Sequence, residues 1–205
     1  MIIPGNGQLS ATFINMQKDL KPDYAIEIGA NASEFSVEMK NRFDIESIAF
    51  EANPDIFNKY VDKIRESGVT YLNYAISDSN EPIAFNIHHN SFAGDNSIKK
   101  RVHASIVKSY TVMAYTLDKY FEKASFEKAC LWIDVEGANK EVLSGGIETL
   151  KRCKSIFIET EDISFWEDQW LTKDVQTFLE NQGFEKVAQE NVYSMQKNII
   201  FIRKG

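Results

Sequence analysis

The chain has 205 residues, of which 43% are hydrophobic and 26% charged, the profile of a globular protein with a sizeable core. Its formal net charge of -7 disfavours nucleic acid or an anionic membrane surface as the main partner. With two cysteines in unlike contexts, we expect no disulfide framework. No apolar run approaches the roughly 18 residues of a membrane span, and residues 1–8 lack the pattern of a signal peptide. The sequence therefore indicates a cytoplasmic protein.

The first part of the chain alternates between helical and strand patterns. Apolar residues at helical spacing predict an opening helix over residues 8–20, within an N-terminal segment 1–22. Two more helices are predicted to begin at Ser33 and Asn53, which are good capping residues. The strands between and after these helices are predicted over residues 24–28, 47–51 and 69–75. Such alternation, with short connections, predicts a parallel sheet with right-handed crossovers.

The alternation breaks between residues 82 and 115. Strand patterns at 82–87 and 109–115 flank a polar, irregular stretch, which predicts a hairpin-like insertion. The insertion contains the histidines and a basic cluster: His88, His89, His103, Lys99, Lys100 and Arg101. Two interpretations are open, a lid or acceptor platform over a crevice and a solvated loop.

The alternation then resumes with a near-continuous apolar run that predicts a buried strand over residues 129–135, where Trp132 is a packing residue. The helix that follows is interrupted at Gly145. A short helix is predicted over residues 117–121, a strand over 155–159 and a helix over 166–182. Residues 184–188 and 199–203 are predicted to form a closing antiparallel pair. Without internal repeats or linkers, the chain is predicted to form one α/β domain over residues 1–205.

Four predicted strands end with the same step from an apolar to an acidic residue. The acids are Glu27, Glu51, Asp134 and Glu159. The carboxyl ends of parallel strands lie at one edge of a sheet, where open α/β sheets bind ligands, so we expect the four carboxylates to converge on one site. Gly29 would let the backbone approach a ligand, and Glu51 fits an acid that binds ribose hydroxyls.

The glycine pattern narrows the choice of ligand. Acids at these positions suit both a dinucleotide enzyme and a methyltransferase. A dinucleotide fingerprint requires G-x-G-x-x-G at the first turn, whereas residues 29–34 contain one glycine. A pyrophosphate would lack its close backbone approach, which matters less for a ligand with an amino-acid end.

Six short blocks carry a family resemblance. They are EIGAN at 27–31, AFEANP at 49–54, AISD at 75–78, TLD at 116–118, IDVEGA at 133–138 with VL at 142–143, and IE at 158–159. In order and spacing they resemble the FkbM family of S-adenosylmethionine-dependent methyltransferases. The resemblance implies a class I methyltransferase fold, which is a Rossmann-like three-layer sandwich with a mostly parallel seven-stranded sheet and an antiparallel C-terminal strand. It also implies O-methylation of a hydroxyl on a sugar, a glycan or a polyketide-like small molecule.

Four positions depart from the family pattern. Glu27 stands where aspartate is usual, Ser33 where a second glycine is usual, Ala52 where proline is usual and Asn139 where glutamate is usual. Glu27 keeps the charge and Ser33 can cap a helix, so the resemblance still implies an active enzyme.

The resemblance also implies which residues bind the cofactor, S-adenosylmethionine. The methionine end would be contacted or shaped by Glu27, Gly29 and Asn31, and Glu51 would bind the ribose. The adenosine would lie beside Ala52, Asn53, Ala75 and Ile76, and Asp134 would complete the site. For Ala75 and Ile76, simple packing in a strand is an equally good interpretation.

Transfer of a methyl group to a hydroxyl requires in-line geometry and usually a base or a metal ion. Asp134 is the first candidate for the base and Glu136 is the second. Asp134 and Glu159 could instead hold a divalent cation, because oxygen ligands suit magnesium and calcium. The structural alternative is that Asp134 and Glu136 only orient their loop.

The main prediction is therefore an S-adenosylmethionine-dependent O-methyltransferase that acts on a small-molecule or carbohydrate acceptor. Two alternatives are an NAD(P)-dependent oxidoreductase on a Rossmann sheet and a non-catalytic protein that binds S-adenosylmethionine.

Overall fold

A computed structural model of the chain describes residues 8–205. Residues 1–7 lie outside the described residues. They include all but the last of residues 1–8, for which no signal peptide is predicted, and the start of the N-terminal segment 1–22. In chain order the elements are α1 Gln8–Leu20, β1 Tyr24–Ile28, α2 Glu34–Phe43, β2 Glu46–Phe50, α3 Pro54–Glu66, β3 Thr70–Leu72, β4 Ala75–Ile76, β5 Pro82–Ile87, β6 Lys108–Tyr115, α4 Leu117–Tyr120, β7 Ala129–Ile133, α5 Asn139–Ser144, α6 Ile147–Lys151, β8 Cys153–Glu161, α7 Thr172–Asn181, β9 Phe184–Tyr193 and β10 Gln196–Arg203.

The main sheet has seven strands in the order β3-β2-β1-β7-β8-β10-β9. Neighbours from β3 to β8 pair in parallel, and β10 runs antiparallel to β8 and β9. This confirms the predicted mostly parallel sheet with an antiparallel last strand. The strand order reverses at β1, which lies between β2 and β7, so the crevice expected of such sheets opens at the carboxyl ends of these three strands.

The two faces of the sheet bury separate cores. Because alternate residues of a strand point to opposite faces, Ile26 and Ile28 of β1 pack in one core and Ala25 packs in the other. The second core lies under α1 and α2, and there Trp132 stacks on Phe157 with ring centroids 3.8 Å apart. Trp132 is thus a packing residue, as its place in an apolar run predicts.

The first residues of α3 and α2 show whether the predicted capping residues, Asn53 and Ser33, act as caps. Asn53 caps α3, because its side chain accepts a hydrogen bond from the Asp55 backbone N–H at 3.1 Å, and Pro54 takes the first helical position. Ser33 was predicted to cap α2 in the same way. That prediction is wrong for the side chain, which makes no capping hydrogen bond because it faces another group described below.

Several strand predictions differ from the structure in their limits. The strands predicted over residues 129–135, 184–188 and 199–203 are Ala129–Ile133, Phe184–Tyr193 and Gln196–Arg203. The strand predicted over residues 69–75 divides into β3 and β4, because the chain leaves the main sheet after Leu72 and Ala75-Ile76 pairs with β6. The strand predicted over 155–159 extends from Cys153 to Glu161, because antiparallel pairing with β10 continues to Glu161 and parallel pairing with β7 begins at Cys153.

The helix predicted over residues 166–182 begins only at Thr172. The Gln169 side chain accepts hydrogen bonds from the backbone N–H groups of Phe165 and Trp166, at 2.7 and 2.9 Å, and this holds the preceding segment in an irregular turn. Trp170 then packs on Phe178 from outside the helix, with ring centroids 5.2 Å apart.

The hairpin insertion predicted near residues 82–115 is confirmed. β5 and β6 pair antiparallel, and β4 joins β6 to make a small three-stranded sheet in the order β4-β6-β5. Within residues 8–205, no helix combines the length and the apolar character that crossing a membrane requires.

Candidate active site

Adjoining cavities open at the ends of β1, β2 and β7, and two of them contain most of the predicted site residues. A third, which Glu27 lines, shares Gly29, Asn31 and Asp134 with the first. All the predicted cofactor-binding residues except Glu27 line the first cavity: Gly29, Asn31, Glu51, Ala52, Asn53, Ala75, Ile76 and Asp134. Residues that are distant in sequence, from β1 to β7, are thus brought together. The apolar side of this cavity comes from Ile76, Phe85 and Ile98, which suits an uncharged aromatic group.

Glu51 follows β2 directly and is 7% exposed. Its two carboxylate oxygens accept hydrogen bonds from the backbone N–H groups of Asn31 and Asn53, each at 2.7 Å. Burial raises the pKa of Glu51 to about 7, although the two N–H donors oppose this shift. The carboxylate is therefore held in one orientation at the wall of the first cavity.

Gly29 is required by its position for a reason that the sequence alone did not predict. Its φ is +77°, and a Cβ added there would lie 1.7 Å from the carbonyl oxygen of Asp134. The glycine therefore lets the loop after β1 pass close to the loop after β7, since any side chain would push them apart. Gly29 also lines the first cavity, so its close approach to a ligand stays a prediction.

The loop after Gly29 contains two further left-handed residues, Asn31 with φ 45° and Ser33 with φ 53°. This conformation costs a residue with a side chain about 1–2 kcal/mol, which explains why glycine would suit position 33. Ser33 instead donates its hydroxyl to the Glu27 carboxylate at 3.0 Å. This is the contact that takes the Ser33 side chain away from capping α2.

Glu27 does not join the row of acids at the strand ends. In the strand register it lies beside Ala49 and Trp132, two positions before the level of Glu51 and Asp134. Its carboxylate accepts hydrogen bonds from residues at the start of α2 instead. It is 4% exposed and also accepts from the Ser36 backbone N–H at 2.9 Å. Burial raises the pKa of Glu27 to about 7. The predicted position of four acids at one strand level therefore holds for three of them.

Three carboxylates at the ends of β7 and β8 form a compact acidic cluster. Oxygen atoms of Asp134, Glu136 and Glu159 all lie within 4.8 Å of one another. Burial raises the pKa of Asp134 to about 6 and, together with the neighbouring negative charges, that of Glu159 to about 10. Burial also raises the pKa of Glu136 well above its usual range. At neutral pH Asp134 is consequently the most readily ionised member of the cluster.

Sequence reasoning missed a fourth acid, Glu161, which is 2% exposed and lines the same cavity as the cluster. Burial raises its pKa to about 7, and Gln169 donates to its carboxylate at 2.7 Å. The signal that could have found it is the two-residue period of a strand, which places residues 159 and 161 on the same face.

The second cavity lies beside the first and has a volume of about 890 Å³, within the range of ligand pockets. The four acids Asp134, Glu136, Glu159 and Glu161 line it, and Ile163, Phe165, Tyr193 and Met195 add an apolar border. Asp134 and Glu136 line both cavities. A group bound in one cavity could therefore react with a group bound in the other next to these two side chains.

The hairpin insertion forms one side of both cavities. Its residues Ala93 and Gly94 line the first and the second, and His88 and Ser97 are buried rather than solvated. The Ser97 hydroxyl donates to the Glu136 carbonyl oxygen at 2.7 Å. The interpretation as a solvated loop is therefore wrong for this part of the insertion, although His103 is exposed.

The turn that contains Glu136 and Gly137 packs against the indole ring of Trp166. Trp166 is 1% exposed, and a Cβ added to Gly137 would lie 2.3 Å from its indole ring. Gly137, with φ +80°, thus allows the turn to lie directly on the tryptophan. Trp166 acts here in packing, which leaves Tyr193 as the exposed aromatic ring at the second cavity.

Comparison with known structures identifies the fold. The chain is similar to the precorrin-6y C5,15-methyltransferase of Geobacter metallireducens GS-15, with a TM-score of 0.55 and 15% identity over 99% of this chain and 90% of that one. It is also similar to the magnesium protoporphyrin IX methyltransferase ChlM of Synechocystis PCC 6803 with bound SAM, with a TM-score of 0.54 and 8% identity over 96% of this chain and 76% of that one. These likenesses confirm the predicted class I methyltransferase, Rossmann-like fold.

Comparison of sequences identifies the family. A segment of 74 residues is 36% identical to the 2-O-methyltransferase NoeI of Sinorhizobium fredii (strain NBRC 101917 / NGR234). The match covers 36% of this chain and 30% of NoeI. Residues 27–186, which are most of the chain, match the methyltransferase FkbM domain. The chain therefore belongs to the FkbM family of methyltransferases.

Proposed function

We propose that the protein is an S-adenosylmethionine-dependent O-methyltransferase that acts on a hydroxyl of a sugar, a glycan or a polyketide-like small molecule. The observation that carries this proposal is the Glu51 carboxylate, which two backbone N–H groups hold at the wall of the first cavity. A carboxylate with both oxygens fixed can accept two hydrogen bonds from the hydroxyls of a ribose. The apolar wall with Ala75 and Ile76 suits the adenine.

The residues that line the first cavity suit the charge of S-adenosylmethionine. The cofactor carries a positively charged sulfur, and Asp134 offers a buried carboxylate where the two cavities meet. The loop with Gly29 and Asn31 would receive the methionine end. A pyrophosphate would instead bring negative charge next to Glu51 and Asp134, which disfavours NAD(P).

The second cavity is the place for the acceptor. Its ionised carboxylates can accept hydrogen bonds from hydroxyls, and its protonated carboxyl groups can donate hydrogen bonds to them. Tyr193 offers an exposed ring on which a sugar could lie. NoeI is a 2-O-methyltransferase by its name, and this supports a hydroxyl as the methylated group. The free, buried thiols of Cys130 and Cys153 suit a reducing compartment, so we place the enzyme in the cytoplasm.

Within this proposal, Asp134 is the base. With a pKa of about 6 it is ionised at neutral pH, whereas the raised pKa of Glu159 keeps that group protonated and able to donate a hydrogen bond to it. When bound, S-adenosylmethionine supplies an activated methyl group. Asp134 accepts the proton of the acceptor hydroxyl as its oxygen bonds to that methyl carbon, and Glu136 contributes to the shape of the junction.

The test of the proposed function is a pair of binding titrations followed by an activity assay. We expect the protein to bind S-adenosylhomocysteine with measurable heat and to show no binding of NAD under the same conditions. Incubation with S-adenosylmethionine and a panel of sugars, glycans and phenolic or polyketide-like alcohols should then release S-adenosylhomocysteine and add a methyl group to the acceptor, detected by mass spectrometry. Binding of NAD without S-adenosylhomocysteine would contradict the proposal, and binding without transfer to any acceptor would favour the non-catalytic alternative.

A divalent cation is the second part of the proposal. Asp134 and Glu159, with Glu136, bring three carboxylates together, and oxygen donors of this kind suit magnesium or calcium. An ion held there would lower the pKa of a bound hydroxyl and so supply the activation that a base otherwise provides.

A thermal-shift measurement at pH 8 tests the cation. We expect magnesium or calcium to raise Tm of the wild-type protein, and Glu159→Gln to abolish the increase. Glutamine resembles the protonated form of Glu159 and can still accept the Gln196 hydrogen bond found at 2.6 Å, so the variant should fold. Glu122→Gln, at an exposed ion pair with Lys119, is the matched control. An equal Tm with the ions and with EDTA in the wild-type protein would rule the cation out.

A further inference from the structure

The loop between β1 and α2 adopts a conformation that is unfavourable for residues with side chains. Gly29, Asn31 and Ser33 all have positive φ, and two of these residues carry a side chain. A loop of this kind relaxes unless its surroundings hold it. The contacts that hold this loop therefore decide whether the first cavity has its binding shape.

Tyr71 of β3 makes one of these contacts from outside the cavity. Its hydroxyl donates to the carbonyl oxygen of Asn31 at 2.6 Å. The backbone N–H of the same Asn31 donates to the Glu51 carboxylate at 2.7 Å. The backbone carbonyl and the backbone N–H of Asn31 are thus both hydrogen-bonded, the first to Tyr71 and the second to Glu51, the acid proposed to bind ribose.

Tyr71 is itself fixed in place. It is 0% exposed, its backbone pairs with Ala49 of the neighbouring strand β2, and its ring stacks on Phe57 of α3 with centroids 5.1 Å apart. It does not line the first cavity. Its hydroxyl can therefore act on a ligand only through Asn31 and Glu51.

We propose that Tyr71 is a positioning residue for the cofactor, which holds Asn31 so that the Asn31 N–H keeps the Glu51 carboxylate directed at the ribose hydroxyls. This inference rests on the proposed function, because it assumes that Glu51 receives the ribose. It adds a residue from β3, outside the family blocks, to the binding apparatus. The energetic basis is preorganisation, since a loop that is already held does not have to be ordered by the ligand.

The test is Tyr71→Phe, which removes the hydroxyl and keeps the stacked ring. We expect calorimetric titration to give a Kd for S-adenosylhomocysteine about tenfold higher than that of the wild type, from the loss of one buried hydrogen bond in the binding conformation. Tyr120→Phe is the control, because Tyr120 also packs by its ring, against Phe50, and its own side chain lines neither cavity. Its Kd should equal that of the wild type.

Two measurements separate positioning from a merely structural role. In the protein without ligand, hydrogen exchange at the Asn31 amide should accelerate in Tyr71→Phe and stay unchanged in Tyr120→Phe. In a double-mutant cycle with Glu51→Gln, Tyr71→Phe should raise Kd by less than twofold once Glu51 has been replaced, since the hydroxyl acts through that carboxylate.

The outcomes are distinct for the two proposals. If wild-type protein does not bind S-adenosylhomocysteine, the proposed function fails. If the wild type binds and Tyr71→Phe binds with the same Kd, Tyr71 has no positioning role even if Tm falls. A tenfold loss that persists fully in the Glu51→Gln background would also overturn the inference, because Tyr71 would then act by another route.

Discussion

Asp134→Asn is expected to lower kcat by about 10²–10⁴-fold, the range that general bases contribute, while the affinity for S-adenosylhomocysteine changes little. Asparagine keeps an oxygen that can accept the hydrogen bond from Glu159, so the loops after β7 and β8 should stay in place. The amide cannot take the proton of the acceptor hydroxyl. Steady-state kinetics with a methylated acceptor, together with calorimetric titration of S-adenosylhomocysteine, measures both quantities.

The pH dependence gives an independent check of the same role. Because burial raises the pKa of Asp134 to about 6, the ionised base is lost as the pH falls through this value. Turnover of the wild type should therefore rise with pH up to and above about 6. Asp62→Asn, on the exposed side of α3, is the control and should retain wild-type kcat. Wild-type kcat in Asp134→Asn would exclude Asp134 as the base.

Glu51→Gln is expected to raise Kd for S-adenosylhomocysteine by about 10–100-fold, because hydrogen bonds to a charged acceptor contribute roughly twice as much as neutral ones. Glutamine can still accept a hydrogen bond from Asn31 or Asn53 through its carbonyl oxygen. Glu51→Ala would leave both N–H groups without this acceptor, so it should lower the stability of the fold as well as the affinity. Calorimetric titration and thermal unfolding of both variants separate the two effects.

The raised pKa of Glu51 makes its binding role sensitive to pH. Protonation of the carboxyl group competes with acceptance of the ribose hydrogen bonds, so affinity for S-adenosylhomocysteine should fall as the pH decreases through about 7. In Glu51→Gln this dependence should be reduced. Glu66→Gln, at the exposed end of α3, is the control for the substitution itself. Full affinity in Glu51→Gln would contradict the assignment of the ribose.

Most of the fold could be predicted because its signals are local. The periods of the apolar residues identified the parallel strands, the helices between them and the hairpin insertion, and the Asn53-Pro54 pair marked the start of α3 correctly. The errors concern elements whose limits depend on distant partners. β8 is longer than predicted because β10 pairs with it as far as Glu161, and Ala75-Ile76 leaves the main sheet because β6 offers it a partner.

The site was predictable in its composition and less so in its geometry. Glu51, Asp134 and Glu159 follow equivalent positions of β2, β7 and β8, and the structure brings them to one edge of the sheet. Glu27 precedes that level by two residues and accepts hydrogen bonds from Ser33 and Ser36 at the start of α2, which a list of acids near strand ends cannot distinguish. Glu161 was missed because the predicted strand ended two residues too early.

The sequence by itself determined the class of fold, the family and the row of acids, because strand and helix periods and short motifs are properties of neighbouring residues. Only the tertiary structure decided what each group contacts. It assigned Gly29 to close passage beside Asp134, Ser33 to Glu27, and Tyr71 to Asn31. These contacts join residues that are separated along the chain, and their geometry follows from strand order and register, which no local pattern encodes.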